Sequence, residues 1–152
     1  MALKAFELIS IVLAALVGGM FWGPWLALSR TMNTFEPETF LAVTHRMTRN
    51  MAPLMTALMP AALLSIAPVL LVTFGHRPAT FYLTLAALIL YGLALLVTVV
   101  VEVPIVKRIA TWTATTLPAD WRRLRDRWGA FHVVRVVSAL AGLTLLVAGA
   151  LV

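Results

Sequence analysis

The stretch PATFYLTLAALILYGLALLVTVVV, residues 78–101, contains no Asp, Glu, Lys or Arg. A helix that crosses a bilayer requires about 20 consecutive, predominantly apolar residues, and this stretch meets that length. Three more stretches without these charged residues lie at 8–29, 50–76 and 136–152. The last of them is long enough if its helix begins before Arg135. The sequence therefore predicts four membrane-spanning helices.

The composition of the whole chain agrees with this interpretation. Of its 152 residues, 62% are hydrophobic and 12% are charged, whereas soluble domains carry about a quarter of their residues as charges. We predict an all-α integral membrane protein, a four-helix transmembrane bundle that forms a single domain over residues 1–152. The helices are expected at about 3–28, 53–74, 79–102 and 118–151. Polar connections are expected at 29–52 and 103–117, with a short interfacial helix over 107–116.

Basic residues are concentrated on one side of the predicted bundle. Four crossings place both termini on the same side, together with Lys4 and Arg77. The two long connections and the helix ends beside them hold nine basic residues: Arg30, Arg46, Arg49, Lys107, Arg108, Arg122, Arg123, Arg125 and Arg127. Because basic residues in short loops remain cytoplasmic, we expect both long connections in the cytoplasm and both termini outside. The membrane is expected to be a bacterial-type inner (plasma) membrane.

The net charge of +6 is explained by this topology, so nucleic acid is not an expected partner. Membrane lipids and a lipophilic small molecule are the expected partners, and a homo-oligomer is compatible with the composition. The chain has no cysteine, which excludes disulfides, thiolate metal sites and Cys nucleophiles. It also lacks a glycine-rich phosphate loop, an HExxH motif and a G-x-S-x-G motif.

Most candidate site residues lie in LPADWRRLRDRWGAFHVVR, residues 117–135. At about 100° per residue, five side chains share an arc of about 80° on one helix face: Trp121, Arg125, Trp128, His132 and Arg135. One interpretation is that the tryptophans form an interfacial belt and the arginines bind lipid phosphates. His132 and Arg135 lie deeper, however, where ionisable groups are costly and usually face a bundle interior. These two residues therefore indicate a pocket.

Glu102 is the second candidate, because it ends an apolar run and precedes Pro104. Proline removes an amide and clashes with the carbonyl four residues before it, so a helix end or kink is expected here. A carboxylate at this place could also simply pair with Arg125, Arg135 or Lys107. His45 is a weaker candidate on the same predicted side of the membrane.

Four methionines, Met47, Met51, Met55 and Met59, recur at every fourth position. Thioethers can bind copper, but methionine is also a common filler of irregular cores. We interpret these residues as packing residues. Pro60 and Pro68 are expected to kink the same helix and widen the bundle.

Several segments carry a resemblance to a known family: Glu102-Val-Pro104, Lys107-Arg108-Ile-Ala-Thr-Trp112, Pro118-Ala-Asp-Trp121, Arg125-Asp-Arg-Trp128 and His132-x-x-Arg135. In these segments the chain resembles the anthrone oxygenase family, a group of small four-helix membrane proteins mostly of unassigned function. Members with assigned chemistry oxidise anthrones to anthraquinones with O₂ and no known cofactor. The resemblance therefore implies an O₂-dependent oxidoreductase.

For such a protein we expect a lipophilic aromatic substrate that is anthrone-like or quinol-like. His132 is expected to act as the base, Arg125 or Arg135 to stabilise an oxyanion, and Glu102 to orient His132 or the arginine. Trp112, Trp121, Trp128 and His45 are expected to contact the substrate, and no cofactor is expected. Two alternatives stay open: a metal- or haem-binding redox protein with His132, His45 and Glu102 as ligands, and a non-catalytic membrane partner or lipid-binding subunit.

Overall fold

A computed structural model of the chain describes residues 1–152. In chain order it contains α1 (Ala2–Leu28), a 3₁₀ turn (Met32–Thr34), α2 (Pro37–Thr73), α3 (Pro78–Val97), a π-helical turn (Thr98–Glu102), α4 (Val103–Ile109) and α5 (Trp121–Leu151). The segment from α3 through α4 runs on as one apolar helix, Pro78–Ile109. Four helices are therefore long and apolar enough to cross a membrane.

The outer surface of the bundle is rich in large aliphatic side chains. Exposed positions on all four helices include Leu8, Leu64, Leu71, Ile89 and Val137. A contiguous apolar surface of this extent suits lipid rather than water as the solvent. The chain is an integral membrane protein with a four-helix bundle, and the predicted fold class is confirmed.

The four helices form a ring in which α1 and α3 each pack against α2 and α5. Tyr91 of α3 occupies the centre, with its hydroxyl 3.0 Å from the carbonyl oxygens of both Ala14 and Ala139. Gly142 of α5 allows this close packing, because a Cβ at that position would lie 2.8 Å from the Tyr91 ring. Small residues commonly allow membrane helices to approach each other in this way.

The two ends of the bundle differ. We call the end that holds connections 29–36 and 110–120 the arginine-rich end. The opposite end, with both termini and the turn at 74–77, is the terminal end. There the Lys4 ammonium donates to the Ala150 carbonyl at 2.7 Å, and the Arg77 guanidinium donates to the Val152 carbonyl at 2.7 Å.

The second helix begins at Pro37, not near Pro53 as the sequence predicted. Its first turns bury Phe40, Leu41 and Thr44, and the first two pack in an apolar cluster with Ile109 and Trp121. Charged residues on the outer face of this segment interrupt the uncharged run. The length of that run alone therefore did not reveal the first turns of the helix. The polar connection is correspondingly short.

The second connection also differs from the prediction. Helix α4 ends at Ile109, so the expected interfacial helix over 107–116 is wrong, and α5 begins at Trp121 rather than near Pro118. The hydroxyl of Thr113 lies 2.9 Å from that of Thr116, and each also accepts a hydrogen bond from the other residue's amide. Side chains of this kind compete with helical backbone bonding and favour turns.

Candidate active site

The π-helical turn positions the first site residue, Glu102. Pro104 has no amide to give to the helix, and the amide of Val103 bonds to the Thr98 carbonyl, five residues before it. Such wide turns inside α-helices occur frequently at functional sites. The expected disturbance near Glu102 is therefore a widened turn in a continuing helix, and it leaves the carboxylate inside the bundle, 3% exposed.

One oxygen of Glu102 accepts two short hydrogen bonds. Trp128 Nε1 and Arg135 Nη1, both on α5, donate to Oε2 at 2.6 Å each. The other oxygen, Oε1, is buried and has no hydrogen-bond partner. The carboxylate thus fixes a tryptophan and an arginine of the neighbouring helix and keeps one unsatisfied acceptor.

Arg135 is buried between a carboxylate and an aromatic ring. Its side chain is 10% exposed, and its guanidinium carbon lies 4.0 Å from the centre of the Phe21 ring on α1. A desolvated cation over an aromatic face is stabilised by the ring quadrupole. The Nε atom of Arg135 is buried without a partner. Arg135 therefore links α1 and α5 to the carboxylate of the π-helical turn and retains an unused donor.

His132 is held by a backbone group of α1. Its Nε2 lies 3.0 Å from the Phe21 carbonyl oxygen. A carbonyl oxygen only accepts hydrogen bonds, so Nε2 carries the hydrogen in this contact, and Nδ1 of the neutral ring retains a lone pair. His132 thus presents a basic nitrogen at Nδ1, and a carbonyl orients its ring. Of the two groups that Glu102 was expected to orient, the histidine and an arginine, it contacts the arginine, Arg135.

These residues line a cavity of about 580 Å³ at the arginine-rich half of the bundle. Glu102, Trp128, His132 and Arg135 contribute polar and aromatic groups to its wall. The rest is largely apolar and includes five of the seven methionines: Met20, Met47, Met51, Met55 and Met59. Ligand cavities commonly have this size and this mixture of an apolar lining with a few polar groups.

A second cavity of about 350 Å³ lies beside the first, between α1 and α5. The two cavities share Pro24, Met47, Trp128 and His132. Arg125 lines only the smaller one, where Nη2 lies 2.8 Å from Asp126 and Nη1 donates to the Asn33 carbonyl at 3.3 Å. Arg125, one of the two arginines expected to stabilise an oxyanion, therefore lines a different cavity from Glu102, because Asp126 and Asn33 hold it there.

A comparison with protein families adds to this geometry. The family model described as anthrone oxygenase matches residues 40–145. This chain belongs to the anthrone oxygenase family. Searches of curated proteins and of solved structures find no match.

The match to the anthrone oxygenase family contains Glu102, Trp128, His132 and Arg135. It begins within α2 and leaves out α1. Phe21, which holds His132 through its carbonyl and contacts Arg135 through its ring, lies in that unmatched part. The site thus combines side chains from the matched region with a support from α1.

Three predicted substrate-contacting residues lie outside both cavities. Trp112 and Trp121 pack in the apolar cluster with Phe40 and Ile109. His45 Nε2 lies 3.1 Å from the Ile109 carbonyl and ties α2 to the end of α4. Of the four residues predicted to contact substrate, only Trp128 lines a cavity.

The three side chains expected as ligands in the metal-binding alternative are not brought together either. His132 and Glu102 line the larger cavity, whereas His45 does not. No group of three or more His, Cys, Asp or Glu side chains is placed to hold a metal ion. The residues as arranged do not form the metal site that this alternative requires.

Two contributors to the site escaped the sequence interpretation. Phe21 acts through its backbone carbonyl, which no residue pattern reveals. Met20 of α1 and the four regularly spaced methionines of α2 also line the larger cavity. The regular spacing in α2 thus marked a cavity-lining face, although we had interpreted these residues as packing residues.

Proposed function

We propose that this protein is an O₂-dependent oxidoreductase that oxidises a lipophilic aromatic substrate with an acidic CH₂ group, as in an anthrone. The observation that carries the proposal is the larger cavity. There, a histidine with a free basic nitrogen and a buried arginine–carboxylate pair face a methionine-rich lining. Membership of the anthrone oxygenase family supports the reaction class.

His132 is the base in this proposal. Its Nδ1 removes one proton from the substrate CH₂ and leaves a carbanion that is delocalised over the aromatic rings. The carbanion passes one electron to O₂, and the resulting radical and superoxide combine to a peroxide, which His132 reprotonates. Loss of the second hydrogen from the same carbon with cleavage of the O–O bond yields a ketone and water. CH₂ and O₂ thus become C=O and H₂O, which requires no cofactor.

Arg135 stabilises the negative charge that develops on the substrate oxygen as the carbanion forms. Arg135 lines the larger cavity, and a charged donor in a dry site contributes more to such stabilisation than it would in water. Glu102 is a positioning residue: it holds Nη1 of the arginine and the Trp128 indole.

The methionines bind the rings of the substrate. Thioether sulfurs make favourable contacts with aromatic edges of about 0.3–1.5 kcal/mol each, and flexible methionine side chains adapt to flat ligands of different outline. Trp128 is the one tryptophan of the larger cavity's wall available for stacking. Ring recognition in this proposal thus depends more on Met20, Met51 and Met55 than on tryptophans.

We also propose an orientation of the bundle in the membrane. The excess of basic residues at the arginine-rich end favours the cytoplasm for that end and the outside for both termini. A reporter fused after Val152 should then be extracytoplasmic, and one inserted near Thr115 cytoplasmic. The reverse pattern would place the cavity in the outer half of the membrane without changing its chemistry.

The test of the activity uses the purified protein in lipid nanodiscs with anthrone and air. We expect anthraquinone to form faster than in empty nanodiscs, with one O₂ consumed per molecule of product. We also expect this activity to persist after the protein has been dialysed against a chelator. An oxidation rate equal to that of empty nanodiscs would refute the enzymatic proposal and leave a binding function. Loss of activity on chelation, restored by one metal, would refute the cofactor-free chemistry.

A further inference from the structure

We propose that the smaller cavity is the entrance through which a lipophilic aromatic substrate passes from the bilayer to the larger cavity. The proposal rests on the proposed function for the identity of the substrate. The two cavities share four lining residues, Pro24, Met47, Trp128 and His132. These side chains lie at the boundary between the two cavities, so a rotamer change of Met47 or His132 would open one cavity to the other.

The rim of the smaller cavity suits a molecule that arrives from the membrane interface. Ala130 and Val133 form an exposed apolar edge, and Ser29, Asn33 and Asp126 form a polar edge. The rim lies where α1 ends and α5 begins. Flat aromatic molecules with one polar edge accumulate at this depth, as tryptophan side chains do.

Two tryptophans of α1 add an aromatic surface to this entrance. Trp25 lines the smaller cavity, and its ring centre lies 5.1 Å from that of Trp22. Aromatic rings at such distances attract each other beyond the burial of their area. An arriving aromatic ring therefore finds a matching surface at the rim.

Gly129 leaves space in this entrance. It lines the smaller cavity, and a Cβ added there would meet no atom within 4 Å. Glycine inside a helix costs about 1 kcal/mol relative to alanine, and no neighbouring backbone lies close enough to position 129 to require a glycine there. A side chain at position 129 is therefore expected to fill the cavity without displacing a helix.

The entrance leads directly to the proposed base. His132 and Trp128 line both cavities, so a ring that leaves the smaller cavity passes beside the imidazole and the indole. The larger cavity also reaches the outer surface of the bundle, where exposed Val99 and Val103 line it. Exposed Lys107 also lines the larger cavity, one turn after Val103, so this opening has a cation at its edge but none of the aromatic surface that Trp25 and Trp22 give the smaller cavity.

The absence of cysteine makes a selective test possible. Gly129→Cys provides a single thiol in the smaller cavity, which is alkylated with a bulky maleimide. Gly92→Cys is the matched control, because a Cβ at Gly92 also meets no atom within 4 Å and that residue lines neither cavity. Val99→Cys places the same label at the alternative opening.

The readout is the association rate of anthrone, measured by quenching of tryptophan fluorescence in nanodiscs under argon, where no oxidation occurs. Labelling of the Gly129→Cys variant should slow association about tenfold or more, with less than a twofold change in the labelled Gly92→Cys variant. Three results would each overturn the proposed entrance. These are an unchanged association rate after labelling at position 129, equal slowing at positions 129 and 92, and slowing only at position 99. Normal association without oxidation in air would refute the proposed activity alone.

Discussion

Two buried carboxylates, Glu7 and Glu102, lie at opposite ends of the bundle with similar exposures of 5% and 3%. Glu7 Oε2 lies 3.0 Å from the Lys4 ammonium, whose side chain is 63% exposed. Glu102 is bound by Arg135 and Trp128, both buried. Only Glu102 lines one of the two cavities.

The difference shows that burial of a carboxylate does not by itself place it at a cavity. Lys4 can turn toward water or headgroups, so the charge balance at the terminal end is adjustable. At the arginine-rich end both partners are inside the bundle, and removal of one leaves the other uncompensated in a medium of low dielectric constant.

The first substitution separates chemistry from helix tethering. His132→Gln retains an amide donor for the Phe21 carbonyl but has no basic nitrogen, so turnover of anthrone should fall by about 10²–10⁴-fold. Ser10→Ala is the control at the terminal end. Ser10 tethers α1 to α2 by donating to the Ser65 carbonyl at 2.7 Å. Turnover should change little in Ser10→Ala, and comparable losses in both variants would remove His132 from the chemistry.

The second comparison concerns the carboxylates themselves. Glu102→Gln keeps the shape but leaves Arg135 without its counter-charge, which should lower the free energy of unfolding by about 3 kcal/mol. Glu7→Gln should change it by less than about 1 kcal/mol, because Lys4 is exposed and screened. Unfolding in mixed micelles measures both. Equal effects in the two variants would contradict the contrast between the ends.

The third comparison concerns two arginines on the same helix. Arg135→Lys removes the planar fork that holds Glu102 while contacting the Phe21 ring, so turnover should fall about tenfold. Arg125→Lys should lower it less than about threefold, because this arginine pairs with Asp126 beside the smaller cavity. A larger loss in Arg125→Lys would assign the oxyanion role to Arg125, the other arginine of the helical arc.

The smallest effect is expected on the outer face of α5. Arg123 is exposed and lines neither cavity, so Arg123→Ala should leave turnover unchanged and alter the free energy of unfolding by about 0.5 kcal/mol at most. A loss similar to that of His132→Gln, in equally well-folded protein, would show that the site is not in the cavity.

Part of the candidate site was predictable because three of its residues share one helix. The spacing of Trp128, His132 and Arg135 places them on one face of α5 from the 3.6-residue period alone. The same arc includes Trp121 and Arg125, and the structure separates these from the larger cavity through Phe40, Asn33 and Asp126. A helical arc identifies the direction of a side chain, whereas its partner depends on what lies opposite.

The sequence by itself determined the membrane location, the number of crossings and the inward face of α5, because these depend on local length, hydrophobicity and helical period. Only the tertiary structure decided that Arg135 is the partner of Glu102, that the Phe21 carbonyl holds His132, and that the methionine row faces a cavity. Each of these contacts joins different helices. Their register is set by packing around Tyr91 and by the π-helical turn, neither of which local periodicity encodes.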